Sequence, residues 1–470
     1  MPDLEYIFHP RAIAVVGVSP NSNTAEMFLN TLIQFGYKGK IYPVNRNASQ
    51  ISGLQAYPSI LDIPGPVDHV TSAIRAALTP QIVRECAAKV VKLVQIFTAG
   101  FSESGEEEGI RLEHEIAEIA RRENLRVLGP NCMGIYCPSL GISYDPSFSM
   151  ESGSVGFFSQ SGGNSMNLVH LAMARGVHFS KVVSFGNACD LNEADFMDYF
   201  AHDPQTKIII GYIEGTRDGR RFVQALRKAA EVKPVIMFKG GVTEGGTRAV
   251  ASHTGSLAGT NAVWSSLFRQ LGVIQVDDME EMVDLLLPFQ HLQPLRGRRG
   301  ALISFGGGYS VSLTDGCARE GLIAPVLPDE MKKRLREIVP KEVDPGTSVH
   351  NPVDLSVSGW EPAIFSRTLE TIDRYEGIDF ILLCFGLHVG AIHGPVRQMV
   401  NRGVDALVKT KKKLNKPVAM VILEDHVPEV TKLRFDIQER FRQADIPVFP
   451  SFSRAARAIN RFIQYHERKQ

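Results

Sequence analysis

The feature that most restricts the fold of this chain is a pattern that occurs three times. An apolar stretch typical of a buried β-strand is followed by a loop of glycine and small polar residues, and then by a segment with helical periodicity. The pattern begins at residues 12, 154 and 300, with the sequences AIAVVGVSPNSN, SVGFFSQSGGNS and GALISFGGGYSV. Strand-like and helix-like segments alternate between these starts. Such alternation predicts an α/β protein with doubly wound parallel sheets covered by helices on both faces.

Two connecting segments separate the three units. Residues 136–154 are rich in proline, glycine and serine, and residues 293–300, QPLRGRRG, form a short basic connector. A chain of 470 residues is too long for one compact domain. We therefore predict three domains, at residues 1–148, 149–296 and 297–470, with an amphipathic helix at the end of the third.

The composition excludes several classes of partner. Lys and Arg together number 51, as do Asp and Glu, so a net charge of zero gives no bulk attraction to nucleic acid or to an anionic membrane. No apolar run approaches the ~20 residues of a membrane span, and the first residues do not resemble a signal peptide. The six cysteines are scattered, as expected for free thiols in a reducing compartment, with Cys132 and Cys137 expected to be accessible at a turn. A cytoplasmic protein is expected.

The loop after the first strand is predicted to approach a phosphate-bearing ligand, because a helix N-terminus there presents free N–H groups. Only Gly17 of the G-x-G-x-x-G pattern is present. The second predicted strand ends at Asn45 and Arg46, where an NAD-binding domain has an acidic residue for the ribose. An NAD dehydrogenase is thus disfavoured, whereas a basic residue fits the extra phosphate of NADP or coenzyme A. The alternative is that Arg46 is an ordinary exposed charge.

Two polar residues of the second domain form a candidate catalytic pair. The strand KIIIGYIEG ends at Glu214, and the next strand, PVIMFKGG, leads into a loop of small residues that contains His253. Successive parallel strands place such groups at the same edge of a sheet. A carboxylate that accepts the N–H of a neutral imidazole prepares the other nitrogen for attack on a phosphoryl group. The alternatives are a structural or surface histidine and a glutamate that pairs with Arg217 or Lys239.

A phosphorylated imidazole needs N–H donors for its oxygens. The sequences SQSGGNS and TGSLAGTNA, each expected to lead into a helix, are able to supply such donors. The predicted phosphate-binding residues are Ser161, Gly162, Gly163, Thr254 and Gly255. No metal-binding residues are predicted in this chain.

Taken together, the motifs resemble those of the α subunit of ADP-forming acyl-CoA synthetases, relatives of succinyl-CoA synthetase. The resemblance runs from about residue 11 to about residue 355 and is carried by IAVVGVS, GKIYPVN, FTAGFSESGEE, VLGPNCMG, SQSGG, YIEGTRDGRRF, KPVIMFKGG, ASHTGSLAG, FRQLGVIQVDDMEE and NPVDL. It implies a Rossmann-like CoA-binding domain followed by two flavodoxin-like domains.

The resemblance also implies roles for individual residues. His253 occupies the position of the phosphorylated histidine, and Glu214 that of the glutamate that holds it. The implied reaction interconverts acyl-CoA, ADP and phosphate with the free acid, CoA and ATP, through an acyl phosphate and the phosphohistidine. Coenzyme A would lie against Gly17, Val18, Ser19, Pro20, Asn45, Arg46, Phe97, Thr98, Ala99 and Gly100. No segment resembles an ATP-grasp domain, so nucleotide and Mg²⁺ are expected on a separate β subunit in an α2β2 assembly.

Two places depart from the family pattern. Ala25 and Glu26 stand where the family usually has glycines, and a glutamate at that helix end would repel a diphosphate. The third domain opens with FGGGYS in place of an Asn-Ala-Gly-Gly turn. Ala25 and Glu26 favour an alternative function as a CoA-binding or regulatory subunit without turnover, whereas the intact His253 and Glu214 favour the enzyme.

Overall fold

The computed structural model describes residues 4–19, 23–254, 260–342, 344–387 and 394–469. The chain forms two compact units, one of Met1–Met173 with Val177–Met282 and one of Ala174–Gly176 with Val283–Gln470. Three predominantly parallel sheets with helical crossovers are present, which confirms the predicted α/β class.

The first sheet belongs to unit 1 and is entirely parallel, with the strand order β2-β1-β5-β6-β7. The chain reverses its winding between β1 and β5, so the ligand crevice of such a sheet lies at the carboxyl ends of these two strands. The strands are β1 (Ala12–Val16), β2 (Lys40–Val44), β5 (His69–Ser72), β6 (Leu93–Ile96) and β7 (Arg126–Leu128), with a small hairpin of β3 (Gln50–Ile51) and β4 (Leu54–Gln55). The helices are α1 (Glu5–Phe8), α2 (Asn23–Gln34), α3 (Thr79–Ala88) and α4 (Glu107–Arg122).

The second sheet, also in unit 1, has the order β13-β12-β11-β9-β10-β8. Its winding reverses between β9 and β11, and only β8 is antiparallel to its neighbour. The strands are β8 (Gly134–Tyr136), β9 (Val155–Ser159), β10 (Phe179–Ser184), β11 (Ile208–Ile213), β12 (Val235–Lys239) and β13 (Ile274–Val276). The helices are α5 (Gly162–Ala174), α6 (Glu193–His202), α7 (Gly219–Val232), α8 (Glu244–Thr254) and α9 (Asn261–Leu271), and α10 (Met279–His291) begins in unit 1 and belongs to unit 2 from Val283 onward.

The third sheet belongs to unit 2 and repeats the same winding, with the order β15-β14-β16-β17-β18. Its strands are β14 (Gly300–Ser304), β15 (Val353–Asp354), β16 (Phe380–Phe385), β17 (Val418–Ile422) and β18 (Val448–Phe449). Its helices are α11 (Gly307–Arg319), α12 (Asp329–Ile338), α13 (Pro362–Asp373), α14 (Gly394–Lys411), α15 (Pro428–Arg442) and α16 (Phe452–Lys469). The apolar face of α16 packs against α11, as expected for the terminal helix.

The strand at one edge of the second sheet comes from the segment predicted to end the first domain. Strand β8 pairs with β10, through Ile135 and Val183, and lies before the predicted boundary at residue 148. Each predicted domain otherwise supplies one sheet. The division into three domains stays a prediction.

Two sequence expectations differ from the structure. Residue 253 was expected in a loop, but the backbone is helical up to Thr254. Thr243 caps this helix by accepting the N–H of Gly246 at 3.0 Å, and a Glu244–Arg248 ion pair at 2.7 Å adds support one turn apart, so local interactions outweigh the glycines.

The cysteine expectation was also wrong in part. Cys132 and Cys137 are 2% and 0% exposed and are therefore inaccessible. Burial raises the pKa of both thiols, which disfavours a reactive thiolate. Among the described residues, no helix is long and apolar enough to cross a membrane.

Candidate active site

Glu214 lies directly after β11, at the point where the winding of the second sheet reverses. The side-chain oxygen of Gln160, which follows β9, accepts the backbone N–H of Glu214 at 2.8 Å and that of Gly215 at 3.3 Å. Both Gln160 and Glu214 are buried. Gln160 therefore holds the turn at Glu214 in place. This turn lies at the carboxyl ends of the strands, where doubly wound sheets bind ligands.

The carboxylate of Glu214 is oriented by a phenol. Tyr212 on β11 donates its hydroxyl proton to Glu214 Oε1 at 3.1 Å. Burial raises the pKa of Tyr212, and the charge of Glu214 raises it further, so the phenol stays protonated and remains a donor. The result is a buried carboxylate with one oxygen held by a fixed donor.

The ion pairs suggested by the sequence do not form as expected. Arg217 pairs instead with Glu113, at 2.9 Å. Lys239, the last residue of β12, donates to the backbone oxygen of Glu214 at 2.7 Å and to that of Gly240. Its burial lowers the pKa of Lys239 to about 8, against the opposing effect of the Glu214 charge.

The candidate nucleophile lies at the end of α8. This helix begins at Glu244, a short turn after β12, and contacts the 3₁₀ turn Ser102–Ser104 that follows β6. The side chains of His253 and Thr254, and Gly255 entirely, lie outside the described residues. Because β12 pairs with β11, the backbone that leads to residue 253 starts from the same sheet edge as Glu214.

The predicted phosphate-binding turn lies beside Gln160. Ser161 accepts the N–H of Asn164 through its hydroxyl at 3.3 Å, and α5 begins at Gly162. Gly163 is exposed, and a side chain there would meet nothing within 4 Å, so there is room for a ligand beside the first turn of α5. The structure thus brings Ser161–Gly163 and Glu214 to one place.

The loop after β1 lies at the corresponding point of the first sheet. Gly17 has φ +97°, and a Cβ atom there would lie 2.9 Å from Ile74 Cγ2, so only glycine fits. Asn45 donates to the backbone oxygen of Val18 at 2.6 Å and accepts two N–H groups from its own loop, which makes it a link between the loops after β1 and β2. Ser19 is partly exposed, and Pro20 lies outside the described residues.

The other predicted CoA contacts lie at the same edge of the first sheet. Arg46 is exposed, and no hydrogen bond holds its guanidinium within the described part of the chain. Phe97 packs edge-on against Phe28 at 5.4 Å between ring centroids, and Thr98 donates to the backbone oxygen of Ile74. The turn at Ala99 and Gly100 is exposed. A hydrogen bond from the Gly100 N–H to the Glu103 carboxylate, at 2.6 Å, holds it in place.

The two residues that replace the usual glycines, Ala25 and Glu26, differ in their exposure to solvent. Ala25 is fully buried, so it packs against the protein rather than against a ligand. Glu26 is partly exposed in the first turn of α2, and within the described residues its carboxylate has no hydrogen bond or ion pair.

Comparison with known proteins decides the family. Residues 11–138 match the CoA binding domain family, and residues 152–288 match the succinyl-CoA ligase like flavodoxin domain family. The chain is 36% identical to the α subunit of acetate–CoA ligase (ADP-forming) II of Pyrococcus furiosus, over 91% of this chain and 92% of that one. The chain belongs to the ADP-forming acyl-CoA ligase family.

Other ADP-forming acyl-CoA ligases show how the chain relates to longer proteins. Acetate–CoA ligase (ADP-forming) I of Archaeoglobus fulgidus is 36% identical over 81% of this chain, which spans 54% of that protein's length. The solved structure of acetyl-coenzyme A synthetase 1 of Candidatus Korarchaeum cryptofilum, in complex with phosphate and ADP, superposes with a TM-score of 0.83 at 30% identity, covering 99% and 97% of the two chains. The predicted family and domain types are confirmed.

Sequence reasoning missed the residues that hold this ligase site together. Gln160 and Tyr212 stand inside the SQSGG and YIEG motifs, which were the available signal, but no role was assigned to them. It also missed a buried network around Glu113 of α4, which accepts from Asn187 at 2.8 Å and from Ser102 at 2.6 Å, besides Arg217. This network joins the turns after β6, β10 and β11 within unit 1.

Proposed function

We propose that this chain is the α part of an NDP-forming acyl-CoA ligase that carries a phosphoryl group on His253. The reaction interconverts acyl-CoA, ADP and phosphate with a carboxylic acid, CoA and ATP. The supporting observation is the buried Glu214 carboxylate, oriented by Tyr212 at the switch point beside the open N-terminus of α5. A carboxylate so held is suited to accept an imidazole N–H and to favour one tautomer of the ring.

In the proposed transfer, one imidazole nitrogen of His253 attacks the phosphorus of an acyl phosphate. The bond from phosphorus to the acyl oxygen breaks, and the free carboxylate leaves. Glu214 stabilises the developing positive charge on the ring, and the N–H groups of Gly162 and Gly163 supply donors for the phosphoryl oxygens. The phosphoryl group then passes from the nitrogen to the terminal phosphate oxygen of ADP.

Coenzyme A is proposed to bind at the switch point of the first sheet. The left-handed turn at Gly17 before α2 and the exposed guanidinium of Arg46 fit a phosphate-rich ligand. The Ala99–Gly100 turn supplies a further open surface at the same edge. The other residues predicted to contact coenzyme A, including Pro20, are proposed to line the same site.

The nucleotide and Mg²⁺ are proposed to bind an ATP-grasp partner in an α2β2 assembly. Support comes from the relatives, which include an α subunit of similar length and a single chain of which this one covers 54%. The acyl substrate is proposed to be a small carboxylic acid. A non-catalytic role is not favoured, because the relatives are ligases and the Glu214 setting is intact.

The test is transfer of radioactive phosphate from Mg-ATP to the chain in the presence of its partner. Wild type is expected to take up acid-labile, base-stable label, His253→Ala is expected to take up none, and Glu214→Gln is expected to label slowly or to lose label faster. His202→Ala, which alters an exposed histidine on α6, serves as the matched control. Label in His253→Ala equal to wild type would refute the proposal.

A further inference from the structure

Lys239 is one of two lysines that are almost completely buried in the described part of unit 1. Its exposed fraction is 1%, the same as that of Lys181. Lys181 has the usual compensation for a buried cation, an ion pair with Asp203 at 2.8 Å. Lys239 has no ion pair within the described residues; it donates to the backbone oxygens of Glu214 and Gly240 instead. A buried cation without a paired carboxylate is costly and needs a reason.

The contacts of Lys239 lie at both ends of the segment that carries His253. At one end, the ammonium holds the oxygen of Gly240, the first residue after β12. At the other end, the ammonium lies 5.3 Å from the ring centroid of Trp264 on α9, a cation–π distance. The chain therefore leaves Lys239 at Gly240, passes through α8 and returns to the same ammonium at Trp264.

The third contact of Lys239 is with the proposed partner of the histidine. The side chain of Lys239 donates to the Glu214 backbone oxygen at 2.7 Å. Glu214 lies one residue beyond Ile213, which pairs with Lys239 at the end of β11 and β12. The positive charge also offsets part of the cost of burying the Glu214 carboxylate. One ammonium thus contacts the backbone of Glu214 and both ends of the segment that carries His253, at Gly240 and at Trp264.

We propose that Lys239 is a positioning residue for phosphoryl transfer: its ammonium fixes the backbone at Glu214 to the two ends of the 240–264 segment and so sets the approach of His253 to the carboxylate. The proposal rests on the proposed function for its effect on catalysis, and on the contacts alone for its effect on the segment. Removing the ammonium is expected to loosen the segment and to misplace the imidazole, and a misplacement of about 1 Å costs on the order of 100-fold in rate.

The matched control is Lys233, which lies just before β12, at the opposite end of that strand. It also donates to two backbone oxygens, those of Phe200 and Asp203, and burial lowers its pKa to about 8 as well. Substituting Lys233 also removes an ammonium that donates to two backbone oxygens beside the second sheet, but at a place away from Glu214. Any effect that Lys239→Met and Lys233→Met share is therefore a general cost of losing a lysine that donates to backbone oxygens.

The first readout is hydrogen exchange at the amides of residues 241–254 and 260–263 in the intact chain. Lys239→Met is expected to speed exchange about tenfold or more there and to leave the first sheet unchanged, whereas Lys233→Met leaves these residues unchanged. Unchanged exchange in Lys239→Met overturns the anchoring. This readout does not depend on activity, so it decides the anchoring even if wild type takes up no label and the proposed function fails.

The second readout is the rate of phosphoenzyme formation with the partner and Mg-ATP. Lys239→Met is expected to slow it at least about tenfold, with Lys233→Met within about twofold of wild type. Lys239→Arg keeps the charge and is expected to restore most of the rate. Wild-type rates in folded Lys239→Met overturn the proposal.

The pH profile separates charge from packing. The titratable group that faces the ammonium is Glu214 at the end of β11, and Trp264 of α9 carries no charge. Wild-type phosphorylation is expected to fall as the pH rises through about 8, where Lys239 loses its proton. Lys239→Arg is expected to keep its rate above that pH, because a guanidinium stays protonated. An alkaline limb that persists unchanged in Lys239→Arg assigns the titration elsewhere and overturns the role of the charge.

Discussion

The hydroxyl of Tyr212 donates a hydrogen bond to the Glu214 carboxylate over 3.1 Å, with both residues buried at the reversal of the second sheet. This fixed donor orients the carboxylate that meets the imidazole in the proposed arrangement. The relationship therefore makes Tyr212 a support for the proposed catalytic glutamate rather than a part of the core alone.

Tyr212→Phe is expected to slow phosphoenzyme formation about fivefold, because one hydrogen bond contributes about 1 kcal/mol. The control is Tyr136→Phe, which removes a buried phenol that donates to the Ser149 oxygen at 2.6 Å. Rapid-quench labelling of both variants with the partner checks the prediction. Equal slowing in the two variants would show that Tyr212 acts only through stability.

Arg46→Ala is expected to weaken binding of coenzyme A by about tenfold and to leave dephospho-coenzyme A almost unchanged, if the exposed guanidinium meets the extra phosphate of the ligand. Calorimetric titration of the two ligands measures the difference. Arg121→Ala, which removes an exposed arginine at the end of α4, is the control. An equal loss for both ligands argues against this contact.

Glu26→Gln is expected to strengthen coenzyme A binding severalfold. The glutamate lies in the first turn of α2, where a negative charge opposes a bound diphosphate by roughly 1 kcal/mol. Titration at low and high salt checks the charge effect, since screening reduces it. Unchanged affinity at low salt would show that the Glu26 side chain turns away from the ligand.

His69 predicts an acid limit to stability. Burial on β5 lowers the pKa of His69 to about 4, against the opposing effect of the Gln95 side chain. In the unfolded chain His69 takes up a proton at about pH 6.5, whereas in the folded chain it does so only at about pH 4. The free energy of unfolding therefore decreases as the pH falls from about 6.5 to about 4, by up to about 3 kcal/mol. His69→Leu is expected to flatten this loss in urea titrations. An equally steep loss in the variant would assign it to other groups.

The sequence predicted most of the sheets and the place of the site. Strands β1, β9 and β14 begin within one residue of the predicted starts at 12, 154 and 300, because their apolar runs are unambiguous. Glu214 was placed correctly at a strand end, since strand direction alone determines it.

The supporting contacts were beyond the sequence. Gln160 reaches Glu214 from a different strand, and Arg217 finds Glu113 of α4 rather than a neighbour on its own loop. Such pairs depend on which strands lie side by side, and β9 is next to β11 only because the winding reverses there. Residue 253 was misassigned to a loop because glycine propensity was weighed without the Thr243 cap and the Glu244–Arg248 pair.

The most direct test of the account is to locate the phosphate on the labelled chain. Trypsin releases residues 249–269, a peptide whose single histidine is His253. After reaction with Mg-ATP and the partner, mass spectrometry under alkaline conditions is expected to find one acid-labile phosphate on this peptide, and that phosphate is expected to be lost to added ADP. A phosphate located on any other residue, or a His253 phosphate that ADP does not remove, would contradict the account.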